Sequence, residues 1–376
     1  MAFGLHGEGR ALIQSGQVVD GLALIDEAMV IVKNGHVAPF ISGVLYCHTV
    51  AACHEVADVR RMARWTELTE QWLDTFPAAV GFEGLCGVHR AQLHLLHGEW
   101  DGAERGALRI AKDFDSQRVD YAAEAWYVVA EVRRLRGDPT AAEAYDEAHS
   151  RGRDPQPGRA LLRLQEGDAK GAATSVRSSL VAAGSDPLRR APICAAAVEI
   201  AVATDRLGDA AEAESELAAT AAKYATSGLE ASAAAARGAV LLAEGQADQA
   251  LPVLRDACRR WHELGAVYDA ACACFRLVEA YRALGDEVSA ADELAKAQST
   301  FERLGAHRPA PETPDGLSRR ECEVLALIAD GCSNRQIGEK LYISARHLTN
   351  IFHKIGVTSR TQAARYALDH GLSTSR

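Results

Sequence analysis

The sequence is short of the features that mark most protein classes. Aromatic residues make up only 6 % of its 376 positions, and there are three methionines and eleven prolines. No apolar run approaches the ~20 residues that a membrane span needs; AMVIV is typical of the longest. The N-terminal MAFGLHGEGR lacks a charged segment leading into an apolar one, so no secretory leader and no membrane partner are expected. Nine cysteines, odd in number and without a C-x-x-C pair, read as thiols of a reducing cytoplasm rather than a disulfide framework. There is no G-x-x-x-x-G-K-[ST] phosphate loop, no G-x-S-x-G elbow and no H-E-x-x-H pair, so neither an enzyme nor a cofactor is expected.

What is present favours helices. Hydrophobic residues reach 48 %, with much of that share in alanine, which costs least in a helix and lets backbones approach closely. A chain this long exceeds one ordinary core, so several domains or a repeat array are expected. The formal charge of −10 argues against a protein that coats nucleic acid along its whole length. That charge is uneven, however. Asp315–Arg376 holds nine Lys/Arg and six Asp/Glu, a balance of +3, which leaves −13 on residues 1–314. Between Glu339 and Asp369 no acid occurs, while Lys340, Arg346, Lys354, Arg360 and Arg365 do. A basic strip on an acidic body fits a small nucleic-acid-binding module carried by a larger regulatory domain.

The body repeats itself. A helix ending in a small or leucine residue, then Gly, a polar residue and alanines, recurs at Gly98, Gly137, Gly167, Gly208, Gly245 and Gly285, with a degenerate copy at Gly16. WHELGA at Trp261 and FERLGA at Phe301 keep the same step. Units of about 34–40 residues with two antiparallel helices are the signature of tetratricopeptide-like arrays. The glycine takes the left-handed conformation that stops one helix, and an adjacent Asp or Ser caps the next. Roughly seven units are expected over residues 1–306, the one between Val56 and Phe76 from the count rather than from a motif.

The N-terminal histidines and cysteines raise the question of a metal. CHTVAACH holds Cys47, His48, Cys53 and His54, and HRAQLHLLH holds His89, His94 and His97. Soft N/S ligands suit zinc, but these spacings are not those of closed zinc sites, and Cys47 with His54 fits one helical stripe. Cys272 and Cys274 lie about 200° apart on a helix, so they cannot share one ion without unwinding. No metal is expected.

HRPAPETPDG, His307–Gly316, carries three prolines within six positions and reads as a semi-rigid linker. The tail after it, residues 317–376, parses into four helices. Ser318-x-x-Glu321 opens the first, with Val324, Leu325, Leu327 and Ile328 as its buried stripe and Gly331 as its stop. Ser333-x-x-Gln336 opens the second, in which Ile337 and Leu341 point inward. Ser344 caps the third, and Ser359-x-x-Gln362 opens the fourth, which stops at Gly371. Helices two and three, joined by the short YIS turn, form a helix-turn-helix.

With those blocks in place, LSRRECEVLALIADGCSNRQIGEKLYIS followed by HLTNIFHKIGVTSRTQAARYALDHGL resembles the LuxR-type (GerE-like) DNA-binding domain along essentially its whole length. The repeat body resembles the helical-repeat region of large actinobacterial LuxR-type regulators, without the ATPase module that many of them carry. The resemblance implies an all-α protein: a tetratricopeptide-like solenoid (1–306), a Pro-rich linker (307–316) and a four-helix helix-turn-helix domain (317–376). It implies a transcriptional regulator on double-stranded DNA, present as a homodimer. RNA polymerase, a signalling protein or a ligand would act at the repeat domain.

By the same resemblance, Ala345, Arg346 and Thr349 match base-reading positions, with His347 and Asn350 beside them. Asn334, Arg335, Lys354 and Arg360 match or flank phosphate contacts, which position a domain without reading sequence. One departure stands out. The family writes the start of its reading helix as S-x-x-T-V-x-x-H-L, with seven residues between serine and leucine; here Ser344 and Leu348 are separated by three. Four residues advance a helix by 400° and about 6 Å. The docking face at Leu348, Ile351, Phe352 and Ile355 is therefore retained, while one turn and one apolar anchor are lost. The alternative is thus a helical adaptor whose helix-turn-helix no longer reads bases.

Overall fold

A computed structural model of the chain describes residues 1–75, 83–116, 118–307, 317, 319–341, 345–370 and 372, with the backbone alone at 83, 85, 319, 320, 339, 345–347 and 349. Every regular element among them is a helix, so the chain is all-α. Two compact units emerge, Met1–His307 and Arg308–Arg376.

The first unit is built from consecutive helix pairs. They are α1 (Ala2–Ser15) with α2 (Val18–Lys33), α3 (Pro39–Glu55) with α4 (Val59–Thr75), α5 (Glu83–Leu96) with α6 (Trp100–Phe114), and α7 (Val119–Arg136) with α8 (Ala141–Ser150). Then follow α9 (Gly158–Gln165) with α10 (Ala169–Ala182), α11 (Pro187–Ala203) with α12 (Leu207–Tyr224), α13 (Ser227–Ala243) with α14 (Ala247–Glu263), and α15 (Val267–Ala283) with α16 (Glu287–Leu304). Each pair packs internally, and the first helices of successive pairs also touch along the series from α1 to α15.

Left-handed residues at Gly16, Ala57, Gly98, Gly137, Gly167, Asp205, Gly245 and Gly285 mark the eight tips. Their steps are 41, 41, 39, 30, 38, 40 and 40 residues. Eight pairs therefore replace the seven units expected. The short step coincides with the shortest helices, α8 and α9, of 10 and 8 residues.

Two tips differ from the glycine rule. Gly208 lies inside the first turn of α12, and Asp205 makes the turn instead, at φ +56°. Aspartate tolerates that conformation because its short side chain can hydrogen-bond locally. Ala57 does the same at φ +53°, which is why no motif marked that hairpin. The closure is the same throughout. At Gly98, Gly98 N donates to Leu95 O and Glu99 N to His94 O; at Asp205, Asp205 N donates to Val202 O and Arg206 N to Ala201 O. Both pairs of bonds satisfy carbonyls left open at a helix end.

The array then coils back on itself. Gly228 N donates to Ala57 O at 3.2 Å, and Thr226 Oγ1 donates to Val56 O. Trp100 packs on Tyr268, with ring centroids 5.9 Å apart. His307 N donates to Leu135 O at 2.7 Å, which ties His307, read from sequence as the first linker residue, to the body. The tips of the second and third hairpins thus meet the starts of the seventh and eighth, and the tip of the fourth meets the end of the eighth. One apolar core accordingly joins Ile13, Leu45 and Val50 to Leu217, Tyr224 and Val240. No helix among the described residues is long and apolar enough to cross a membrane.

Candidate nucleic-acid interface

The second unit holds α17 (Arg319–Ala329), α18 (Asn334–Leu341), α19 (Ala345–Lys354) and α20 (Arg360–Asp369). Its core is small and complete: Leu317, Val324, Leu325, Ile328, Ile337, Leu348, Ile351, Ile355, Ala363 and Ala367 are all buried. Leu327, expected in the buried stripe, is half-buried at its edge, as is Leu341.

The start signals act as the sequence implied where they are described. Gln336 N donates to Ser333 Oγ at 3.3 Å, and Ser333 N donates back to Gln336 Oε1 at 2.8 Å. Ser359 and Gln362 form the same reciprocal box at α20. Gly331 at φ +82° closes α17, with Cys332 N donating to Leu327 O. Ser318, the turn at 342–344 including Ser344, and Gly371 lie outside the described residues, as does the linker at 308–316.

The shortened third helix is a helix of ten residues. Leu348, Ile351 and Ile355 are buried and Phe352 half-buried, so the docking face survives. Asn350 and His353 are exposed on the opposite face. By register, position 346 lies one turn before Asn350 on that face, because residues four apart on a helix stack. His353 was not singled out from sequence, although its seven-residue step from Arg346 would have found it. The backbone of Ala345, Arg346, His347 and Thr349 is helical, while their side chains lie outside the described residues.

Two phosphate candidates are engaged within the domain. Lys354 Nζ donates to Glu321 Oε2 at 2.9 Å. Arg360 donates to Asn334 Oδ1 and to the carbonyl of Cys332. Arg360 therefore ties the start of α20 to the loop that opens α18, and orients Asn334. The strip without acids in sequence is not without acids in space: α17 brings Glu321 to Lys354, and Arg365 lies 3.6 Å from Asp369. Asn334, Arg335 and Lys340 are exposed.

In the first unit, the histidines and cysteines do not converge on one point. Cys47 faces Cys86, His54 lies beside His89 with centroids 5.4 Å apart, and His94 bonds Glu99. Among the described residues no three such side chains gather as a metal site would need. What the first helices do collect is charge. Arg134 is 8 % exposed and donates to Glu131 at 2.6 Å, and Tyr145 OH donates to the same carboxylate. Burial pushes the Asp269 carboxyl up to about 6, and burial drives His54 down to about 3.

Residues 315–367 match the family of bacterial regulatory proteins, luxR family (GerE), so the C-terminal segment is a luxR-family domain. The transcriptional regulatory protein DegU of Brevibacillus brevis is 40 % identical over 99 residues, 25 % of this chain and 39 % of DegU. LiaR of Bacillus subtilis strain 168, also a transcriptional regulatory protein, is 49 % identical over 57 residues, 14 % of this chain and 27 % of LiaR. The oxygen regulatory protein NreC of Staphylococcus aureus strain JH9 is 45 % identical over 56 residues, 14 % of this chain and 26 % of NreC. The chain thus spans no more than about two-fifths of the length of these relatives. Among solved structures, the TPR domain of P58(IPK) covers 80 % of this chain and 98 % of that one at 15 % identity, with a TM-score of 0.22. Superposition at that score establishes no shared fold.

Proposed function

We propose, from the luxR-family domain at residues 315–367, that this protein is a DNA-binding transcriptional regulator whose helical body governs a C-terminal helix-turn-helix. The observation that carries the reading is α19. Despite its four missing residues, it stays docked through Leu348, Ile351 and Ile355 and turns Asn350 and His353 outward. An exposed polar face on a docked second helix of such a motif is what enters a major groove. Arg346 is the base-reading residue of this proposal, since a guanidinium bridges guanine O6 and N7. Ala345 and Thr349 flank it, and Asn334, Arg335, His347, Asn350, Lys354 and Arg360 hold backbone. Pairing of two copies through α20, which leaves Leu368 60 % exposed, would place two domains on two half-sites. The body takes the signal, from a ligand, a signalling protein or RNA polymerase, and the protein works in the cytoplasm without catalysing a reaction.

A second reading has its own observation. Lys354 and Arg360 already spend hydrogen bonds on Glu321, Asn334 and Cys332, which suits an adaptor that has left DNA reading behind. Salt separates the two. Each phosphate neutralised on duplex DNA contributes a slope of about −0.9 in log K against log salt. Fluorescence anisotropy with the protein's own upstream DNA should give a steep slope and a preference over scrambled duplex. Arg346→Ala should narrow that preference by about 1–3 kcal/mol with little change in the slope. A chain that gains salt-dependent binding only when four residues are inserted between Ser344 and Ala345 is the adaptor.

A further inference from the structure

Two pairs of cysteines face each other in the helical body. Cys258 of α14 and Cys274 of α15 place their sulfurs 2.7 Å apart, across the junction between the seventh and eighth hairpins. Cys47 of α3 and Cys86 of α5 place theirs 2.8 Å apart. The pairs differ in surroundings. Cys47 and Cys86 are both 5 % exposed, and their contact together with burial pushes the Cys86 thiol well up. Cys258 is half-buried and reachable, while Cys274 is buried at 5 %.

Cys258 also has a histidine neighbour. His262, one turn on in α14, sets Nδ1 at 2.8 Å from the Cys258 carbonyl and 3.5 Å from its sulfur. The single Nδ1–H goes chiefly to the carbonyl and reaches the sulfur only as the longer arm of a shared bond, which still favours the thiolate. The contact with Cys274 is the largest influence pushing the Cys258 thiol down, with His262 acting in the same direction against burial, and the same contact pushes the Cys274 thiol up. Glu293 of α16 opposes both ionisations, and only at Cys274 does it add a hydrogen bond that opposes ionisation further. A thiolate with access to solvent and a buried thiol in contact with it have the roles of attacking and resolving sulfur.

We propose that Cys258 and Cys274 are an oxidisable dithiol whose co-substrate is a hydroperoxide. The Cys258 thiolate attacks the outer peroxide oxygen; the S–O bond forms, the O–O bond breaks, and the alkoxide leaves to take a proton as alcohol. Sulfur loses two electrons and the peroxide gains them. Cys274 then gives up its proton and attacks the sulfenic sulfur; the S–S bond forms, the S–O bond breaks, and hydroxide leaves as water. Two thiols and one hydroperoxide become one disulfide, one alcohol and one water. The bond joins α14 to α15 and fixes successive hairpins to each other.

The test uses the full chain, reduced and then exposed to hydrogen peroxide in slight excess, with remaining thiols alkylated and peptides mapped by mass spectrometry. A Cys258–Cys274 link is expected at least roughly tenfold sooner than a Cys47–Cys86 link, because Cys258 is open to solvent while Cys47 and Cys86 are both buried. Dithiothreitol should reverse it. Cys274→Ser should stop the same chemistry at a sulfenic acid on Cys258, labelled by dimedone. Cys258 and Cys274 staying alkylatable while other cysteines oxidise overturns the proposal, and so does linkage of Cys47 to Cys86 at an equal rate. Both of those readings come from the unmodified sequence and do not depend on any variant folding.

Discussion

At the residue scale, the body places ionisable groups where water is scarce, and each placement has a measurable cost. Arg134 is nearly enclosed, and its charge is answered by Glu131, which also takes the Tyr145 hydroxyl. Removing one partner of a buried pair leaves an uncompensated charge. Glu131→Gln should therefore lower stability by about 3–5 kcal/mol, read as a fall in the urea midpoint at unchanged m-value. His6 is a second case. It is 4 % exposed, its Nε2 finds no partner among the described residues, and burial, with His48 and Arg10 nearby, drives it down to about 4. An unfolded histidine titrates near 6.5, so on acidification the unfolded chain takes its proton first. Stability from this group is complete above about pH 6.5 and is lost as pH falls toward 4. Asp269, raised to about 6, pulls the opposite way between its ordinary value and 6, since the folded chain holds its proton longer. His6→Gln should flatten the fall of the denaturation midpoint between pH 6.5 and 4; an unchanged profile would assign the fall to other groups.

At the element scale, the helices meet closely because the sequence gives them nothing to hold them apart. Gly9 of α1 and Gly21 of α2 sit face to face: a Cβ on Gly21 would stand 2.5 Å from Gly9 O, and one on Gly9 would stand 2.6 Å from Gly21 O. The obstacle is backbone and cannot rotate away. Gly21→Ala should cost about 1–3 kcal/mol by overpacking, against the gain an exposed helical Gly→Ala change gives, and thermal denaturation distinguishes the signs. Much of this scale was legible beforehand. Six glycines announced the helix ends, and the apolar spacing of Leu348, Ile351 and Ile355 gave the docked face of α19. The illegible part has a physical reason. Ala57 and Asp205 take a glycine's conformation without being glycine, and Gly208 is spent inside a helix, so a rule keyed to residue type slips by three positions there. At the interface, the pairing of Lys354 with Glu321 joins helices one and three of the domain, and local charge counts cannot see an acid supplied from 33 residues away.

At the scale of the whole molecule, a nearest-neighbour array would unfold from its ends, hairpin by hairpin. This body has a further set of contacts. The backbone bond from Gly228 to Ala57, the Trp100–Tyr268 stack and the His307–Leu135 bond each join segments four or five hairpins apart. No repeat motif encodes them, because they arise only when the coil completes a turn. They predict one cooperative unfolding transition for Met1–His307. Gly228→Val is the probe: a Cβ at 228 would stand 2.5 Å from Ala57 O, so the second hairpin must separate from the seventh. Hydrogen exchange should then show α3 and α4 losing protection before α13 and α14, where the unaltered body loses both together.

The return of the coil also bears on how the chain is made. When the tip at Ala57 is synthesised, the segment that will receive it, around Gly228, is about 170 residues from being synthesised. At 5–20 residues per second that is a wait of roughly 10–30 s. Throughout it, the side of Leu45 and Val50 that will meet Leu217 and Tyr224 stays uncovered on the nascent polypeptide. Early hairpins form promptly from local contacts, yet their burial is completed only by the second half of the body. A holding chaperone acting during translation, rather than a refolding one acting afterwards, is the kind of help this topology calls for.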